Sequence, residues 1–117
     1  LIGDYSGCSS VVLSSRTKIQ IGRRVKIGAN TKILDHDFHS LDHKKRKSDL
    51  DNKFIQSEPI KIDDDVFIGA NVIILKGVHI GSRTIIGANS VLTMKEIPSD
   101  VIVAGNPAKI IRKIDNE

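Results

Sequence analysis

Histidine and lysine crowd into one stretch of this chain. His36, His39 and His43 lie close together and lead into Lys44-Lys45-Arg46-Lys47, while His79 stands apart. Imidazole titrates near neutral pH, so a histidine in a cleft can take a proton from a hydroxyl or an amine as that group attacks an electrophile. Three histidines can instead hold zinc when they converge around an open coordination position. Here they share one loop without the helical or coil-spaced arrangement of such a site, so no metal is expected. His43 and His79 read as exposed side chains. Cys8 has no paired histidine motif and reads as a small buried or cleft-lining residue, not as a nucleophile.

The elements that must position these residues count in sixes. From Ile62 to Ile97 the hexads open on Ile62, Ile68, Ile74, Ile80, Ile86 and Leu92. Their fifth places are Val66, Val72, Val78, Thr84, Ser90 and Glu96, and Gly69, Gly81 and Gly87 stand second. Neither a helical period nor strict alternation returns an aliphatic every sixth residue. A hexad repeat predicts a parallel β-helix in which every unit buries its face against its neighbours. Three hexads make one triangular coil, the first place points inward, and glycine in second place suits the bend. The scarcity of aromatic residues, with no Trp, fits a narrow prism lined by Ile and Val.

The same phase appears upstream in Ile21-Gly22, Ile27-Gly28 and Ile33-Leu34. Ile2-Gly3 belongs to an earlier hexad, but its spacing of 19 to Ile21 predicts one bulged residue between Cys8 and Ile19. The spacing of 29 from Ile33 to Ile62 marks an interruption. The expected architecture is all-β and single-domain over 1–117. It has coils at 2–36 and 59–97, an ejected loop at 37–58 that carries the histidines and the basic run, and a C-terminal segment at 98–117. A long loop on a rigid scaffold is more often functional than idle.

Bulk properties narrow the class. The 117 residues allow one core, and no apolar run reaches the length of a membrane span or resembles a signal peptide. The lone cysteine fits a reducing compartment, so a cytoplasmic protein is expected. Leu1 at a hexad boundary suggests a trimmed N-terminus. The net charge of +4 concentrates in the loop and in the tail at Lys109, Arg112 and Lys113. Without interleaved aromatics or a binding motif it does not point to nucleic acid. Small anionic ligands explain the tail better, and a solvated charged surface explains the loop run equally well.

The hexads, the histidine loop after Ile33 and the closing stretch Ile97-Pro98-Ser99-Asp100-Val101-Ile102-Val103-Ala104-Gly105-Asn106-Pro107-Ala108-Lys109 resemble the hexapeptide-repeat acyltransferases. Within them the chain is most similar to the sugar O-acetyltransferases of the maltose and galactoside, capsule, lipopolysaccharide and antibiotic-modifying branches. The resemblance implies a left-handed parallel β-helix, an exception to the usual right-handed crossover. It also implies a homotrimer with active sites between subunits, where two prisms make a concave cleft that one flat flank cannot.

The same resemblance implies the chemistry. The family carries its general base at the first loop histidine, here His36, with His39 as second choice. The other ring nitrogen of His36 is expected to meet an acceptor: Asp35, Asp37, a backbone carbonyl or a loop carboxylate. Transfer from acetyl-CoA is direct, and the oxyanion meets a backbone N–H near Gly69 or Ala70. Ala70 and Ala88 match contacts of the pantetheine arm. Thr93 and Lys95 fall where the nucleotide end is held, in a turn lengthened by Met94. Lys109 and Arg112 match basic positions facing the phosphates. Asn106-Pro107 by itself reads as a helix N-cap and first turn, with Ile110, Ile111 and Ile114 on one face. The resemblance argues for an extended segment first.

On the acceptor side the chain departs from the maltose and galactoside enzymes. Cys8 and Arg16 stand where they carry a sugar-contacting Asn and Asp, and their helical N-terminal segment has no counterpart here. The favoured acceptor is a sugar hydroxyl on a surface glycan or its precursor. The alternatives are N-acetylation of an amino sugar and, in other classes, zinc-dependent carbonic-anhydrase-like hydration or a non-catalytic β-helix scaffold.

Overall fold

Short parallel strands, each closing one hexad, wind into a three-sided prism in the computed structural model, which describes residues 1–115. One face stacks β1 (Gly7–Cys8), β4 (Lys26–Ile27), β7 (Phe67–Ile68), β10 (Ile85–Ile86), β13 (Val101–Gly105) and β14 (Ala108–Lys113). The second stacks β2 (Val12–Ser14), β5 (Lys32–Leu34), β8 (Ile73–Ile74) and β11 (Val91–Leu92). The third stacks β3 (Ile19–Ile21), β6 (Ile60–Ile62), β9 (His79–Ile80) and β12 (Glu96–Ile97). The whole molecule, loop and tail included, measures 55 × 28 × 21 Å.

In-register stacking makes the core. Ile21, Ile62, Ile80 and Ile97 form one inward column, and Ile27, Ile68, Ile86 and Val103 form the next. Ile33, Ile62, Ile68, Ile74, Ile80 and Leu92 are sealed from solvent, as are the fifth-place Val72, Val78, Thr84 and Ser90. Each buried aliphatic stabilises the fold by roughly 1.5–3 kcal/mol, so the columns hold the coils together without any helix packed against them.

The bends work differently from the expectation. The second-place glycines keep ordinary φ, and the left-handed residues stand in fourth place: Arg24, Asn30, Asp65, Asn71, Gly77, Arg83 and Asn89. Gly28 and Gly69 are required by space. A Cβ on Gly28 would stand 2.5 Å from the Ala70 nitrogen, and one on Gly69 would stand 2.8 Å from that of Ala88. At the corner between the third and first faces the fourth-place side chains pair between coils. Arg24 Nε donates to Asp65 at 2.7 Å, and Arg83 Nε donates to Asp100 at 2.7 Å.

One further expectation is corrected and two are refined. Glu96 is exposed on β12 beside His79, because the step from Leu92 to the inward Ile97 is one residue short of a hexad. The one extra residue does lie between Cys8 and Ile19, but as a net count: the step from Cys8 to Leu13 is one residue short and the step from Leu13 to Ile21 is two long, which puts the wide turn at 15–18. The tail is extended, as the resemblance implied, and the helix start that Asn106-Pro107 reads as by itself does not form. β13 and β14 make an antiparallel hairpin around that cis bond, with Ala104 opposite Lys109. Extending the first face pairs Ile102 and Val103 with β10 and buries Val101, Val103 and Ala108.

The loop leaves the corner between the second and third faces. His36 bridges Ser57 and Asp37 N–H donates to Gln56 O at 3.0 Å, so its two ends close on each other. Inside it are a helical turn α1 (His43–Arg46), capped by Asp42, and a 3-10 turn at Asp51–Phe54. Among the described residues no helix is long and apolar enough to cross a membrane.

Candidate active site

Asp35 organises the place where the coil breaks. Its carboxylate is fully buried and accepts hydrogen bonds from Ser15 Oγ at 2.7 Å, Arg16 N–H at 2.7 Å, Thr17 N–H at 2.9 Å and Lys18 N–H at 2.8 Å. Burial alone pushes this carboxyl up, but the backbone donors and Ser15 outweigh it and hold the group below its ordinary range. A buried charge with four donors is well compensated. Asp35 therefore faces the wide turn at 15–18 and does not orient His36, as one reading of the sequence had it.

His36 follows directly and is 9% exposed. Phe38 N–H donates to its Nδ1 at 3.0 Å, and Ser14 Oγ stands 2.8 Å from its Nε2. The expected acceptor at the second nitrogen is thus replaced by a donor. With Nδ1 accepting, the neutral ring carries its proton on Nε2 and donates it to Ser14. This is the opposite polarity to a Ser-His-Asp arrangement, where a carboxylate on Nδ1 frees Nε2 to take the serine proton. Phe38 packs its ring 4.2 Å from the imidazole and holds φ at 66°, a strained value for an aromatic residue. Ser14 was missed from sequence. Its signal lay in coil arithmetic, since Ser14 pairs with Leu34 in register and so falls beside the break.

His39 has the complementary arrangement. Its Nδ1 meets Asp51 Oδ2 at 2.7 Å, and its side chain is 67% exposed. The hydrogen bond from His39, with that from Ser40 N–H, holds the Asp51 carboxyl below its usual range. Asp37 pairs with Lys76 at 2.9 Å, and its second oxygen is buried without a partner. His43 opens α1 on the surface, and among the described residues no three metal-binding side chains converge. His79 is not a free surface histidine: it sits between Asp63 at 3.0 Å and Glu96 at 3.1 Å. Cys8 is exposed on β1 and lines an apolar hollow with Ile2, Val11 and Ile27.

The remaining residues expected at the site fall on two corners. Ala70 and Ala88 stack on the corner between the first and second faces, where Asn89 N–H donates to Ala70 O at 3.0 Å. Gly87 on that corner abuts Ala104, whose hairpin partner is Lys109, so Lys109 closes this column. Arg112 is exposed opposite Ile102 on the same hairpin. Lys95 belongs to the histidine corner, where its Nζ donates to Lys76 O at 2.8 Å and to Glu58 at 3.3 Å. Thr93 is exposed at the start of that same turn. Of the two expected oxyanion donors, the Gly69 N–H is committed to Ile86 O at 2.9 Å, which leaves Ala70. Within one chain, His36 and the Ala70–Ala88–Lys109 column therefore lie on different corners of the prism.

Comparison with known proteins agrees with this architecture. A sequence-family profile described as bacterial transferase hexapeptide (six repeats) matches residues 59–93. The galactoside O-acetyltransferase of Escherichia coli is 40% identical over 112 residues, covering 96% of this chain and 52% of that protein. The chain belongs to the hexapeptide-repeat acetyltransferases. It spans about half the length of the curated relatives it matches, 45% and 55% for two of them. A hexapeptide-repeat-containing acetyltransferase of Vibrio cholerae superposes with a TM-score of 0.87 at 39% identity, over 98% of this chain and 62% of that one. A second structure of the Vibrio cholerae protein is a complex with acetyl coenzyme A, and it matches at 30% identity with a TM-score of 0.72 over 98% of this chain and 71% of that one. The prism is accordingly the left-handed parallel β-helix of this family.

Proposed function

We propose that this chain carries the transfer site of an acetyl-CoA-dependent O-acetyltransferase acting on a sugar hydroxyl of a glycan or glycan precursor, in the cytoplasm and as a homotrimer. His36 is the general base and transfer is direct. The observation that carries this reading is Ser14 Oγ at 2.8 Å from Nε2 of a nearly buried imidazole. The ring already holds an alcohol oxygen where an acceptor hydroxyl would have to stand. Acting as base requires the other tautomer, so the Phe38 amide must leave Nδ1 and Ser14 must yield to the acceptor. Nε2 then takes the hydroxyl proton as the oxygen attacks the thioester carbonyl. The C–S bond breaks, and the imidazolium returns the proton to the departing thiolate.

The division between corners supports the trimer. His36 from one subunit and the Ala70–Ala88–Lys109 column from the next would make one cleft, with the Ala70 N–H on the oxyanion and Lys109 and Arg112 on the nucleotide phosphates. The E. coli galactoside enzyme and the acetyl-CoA complex of the Vibrio cholerae protein support the donor and the sugar hydroxyl. His39 is the second candidate for the base, favoured by the 2.7 Å contact to Asp51 that fixes its tautomer with Nε2 open. Its exposure to water counts against it.

Thiol release from acetyl-CoA across a panel of neutral sugars, glycan fragments and amino sugars tests the activity, and sedimentation tests the assembly. Hydroxyl-dependent thiol release from a trimer is expected. Release with amines alone would replace the O-transfer reading by N-transfer, and a monomer that turns over would sink the shared cleft.

A further inference from the structure

The loop beside His36 separates its charges. Its acids equal its lysines and arginines in number, yet nearly all the acids are already paired within the chain. Asp37 pairs with Lys76 and Glu58 with Lys95, both partners lying outside the loop. Asp51 holds His39 and Ser40 N–H, and Asp42 caps α1 by accepting from Lys44 N–H at 2.9 Å. Asp49 alone among the loop acids has no partner among the described residues.

The cations are left outward. Lys44, Lys47 and Lys53 are exposed, and among the described residues none has a carboxylate within ion-pair reach. Lys45 lies 3.8 Å over the Phe54 ring, and Arg46 donates to Ser40 O at 3.1 Å, so neither has its charge neutralised by a hydrogen-bonded acid. Arg16, at the turn below, donates to Asn52 Oδ1 at 2.8 Å, which ties the 3-10 turn to the Asp35 turn and adds another cation. The loop is pinned at both ends on His36 and Ser57, so this positive surface is anchored at the candidate base.

We propose that Lys44, Lys47 and Lys53 form the specificity surface for an acceptor that carries negative charge, either a carboxylate on the glycan or a diphosphate on an activated sugar. The proposal rests on the transferase reading above, because it assigns the acceptor side of the same site. Exposed cations attract an anion over a Debye length and set selectivity and on-rate more than raw affinity.

Calorimetry on the full chain with trigalacturonate, dTDP-glucose and maltotriose tests it without requiring turnover. The expected result is acid-selective binding that weakens with salt. In the Lys44→Gln/Lys47→Gln/Lys53→Gln variant that binding falls roughly tenfold, about what three exposed ion pairs supply together. Retained affinity for acetyl-CoA shows that the variant is folded and that its lysines are not the nucleotide's. Selectivity for trigalacturonate assigns the carboxylate and selectivity for dTDP-glucose the diphosphate. Equal affinity for maltotriose, binding of none of the three, or a loss confined to acetyl-CoA overturns the proposal. Lysine-dependent acid binding with no acetyl transfer would instead overturn the transferase reading and uphold the surface.

Discussion

Ser14 Oγ and His36 Nε2 stand 2.8 Å apart across the break in the coil, one residue contributed by the strand before the break and one by the chain leaving it. Their immediate neighbours bring them together: the wide turn at 15–18 follows Ser14 and closes on Asp35, which precedes His36.

Ser14 occupies the place proposed for the acceptor hydroxyl, so removing it should ease acceptor entry without touching the donor site. Ser14→Ala is expected to lower KM for the acceptor about five- to tenfold, the equivalent of one hydrogen bond near 1 kcal/mol, with KM for acetyl-CoA unchanged. Ser14→Thr should keep the wild-type value. Steady-state kinetics of the pair checks this, and an unaltered acceptor KM in Ser14→Ala would remove Ser14 from the account.

The Phe38 amide on Nδ1 fixes the resting tautomer. Nitrogen NMR of 15N-histidine-labelled protein should find the His36 proton on Nε2 in the free protein. Addition of coenzyme A with a non-reactive acceptor should move it to Nδ1. A ring that starts with the proton on Nδ1 would contradict the assigned hydrogen-bond polarity.

The hexads made the prism legible because one aliphatic per hexad must point inward, and Ile62, Ile68, Ile74 and Ile80 have no other stable place to go. The glycine rule was half readable. Gly28 and Gly69 are needed for the close approach of the next coil, whereas the left-handed bend falls on Asn71 and Asn89, whose side chains tolerate it. Glu96 was misplaced because a repeat gives no warning of one deleted residue until the next inward side chain, Ile97, is found. The tail was ambiguous from its residues alone, because Asn-Pro serves a helix start and a hairpin turn alike; the resemblance pointed to the extended form, and the open edge of β10 is the physical reason for it. Around His36 the sequence offered acids on both sides, but spacing cannot tell that Asp35 turns to the 15–18 backbone and Asp37 to Lys76.

Asp35 should make the site sensitive to acid. Its carboxyl sits below the ordinary range when folded, so the unfolded chain binds a proton first, and stability is lost as pH falls through the folded value. Full stabilisation is present above the unfolded value near about pH 4. Asp35→Asn puts an amide against four donors and should cost about 2–4 kcal/mol at neutral pH. Urea denaturation across pH should show a shallower acid decline in the variant than in the wild type, while Asp51, Asp65 and Asp100, also depressed, retain part of it. Equal slopes would mean that Asp35 is not the group responsible.

Gly69→Ala forces a Cβ against the Ala88 nitrogen, at 2.8 Å, on the corner proposed for the pantetheine arm. Overpacking of that kind costs about 1–3 kcal/mol. Thermal melts should register the loss, and acetyl-CoA affinity should fall with it. Gly7→Ala, where a Cβ meets nothing nearer than the Lys26 Nζ at 4.0 Å, should leave both unchanged.

The base itself is tested most directly by comparing His36→Ala and His39→Ala in single-turnover acetyl transfer, with acetyl-CoA binding measured alongside. The account predicts that His36→Ala loses about 10²–10⁴ in rate while still binding acetyl-CoA, and that His39→Ala keeps most of its rate. A His36→Ala protein that transfers normally, with the loss appearing in His39→Ala, would contradict it and hand the role to the Asp51–His39 pair.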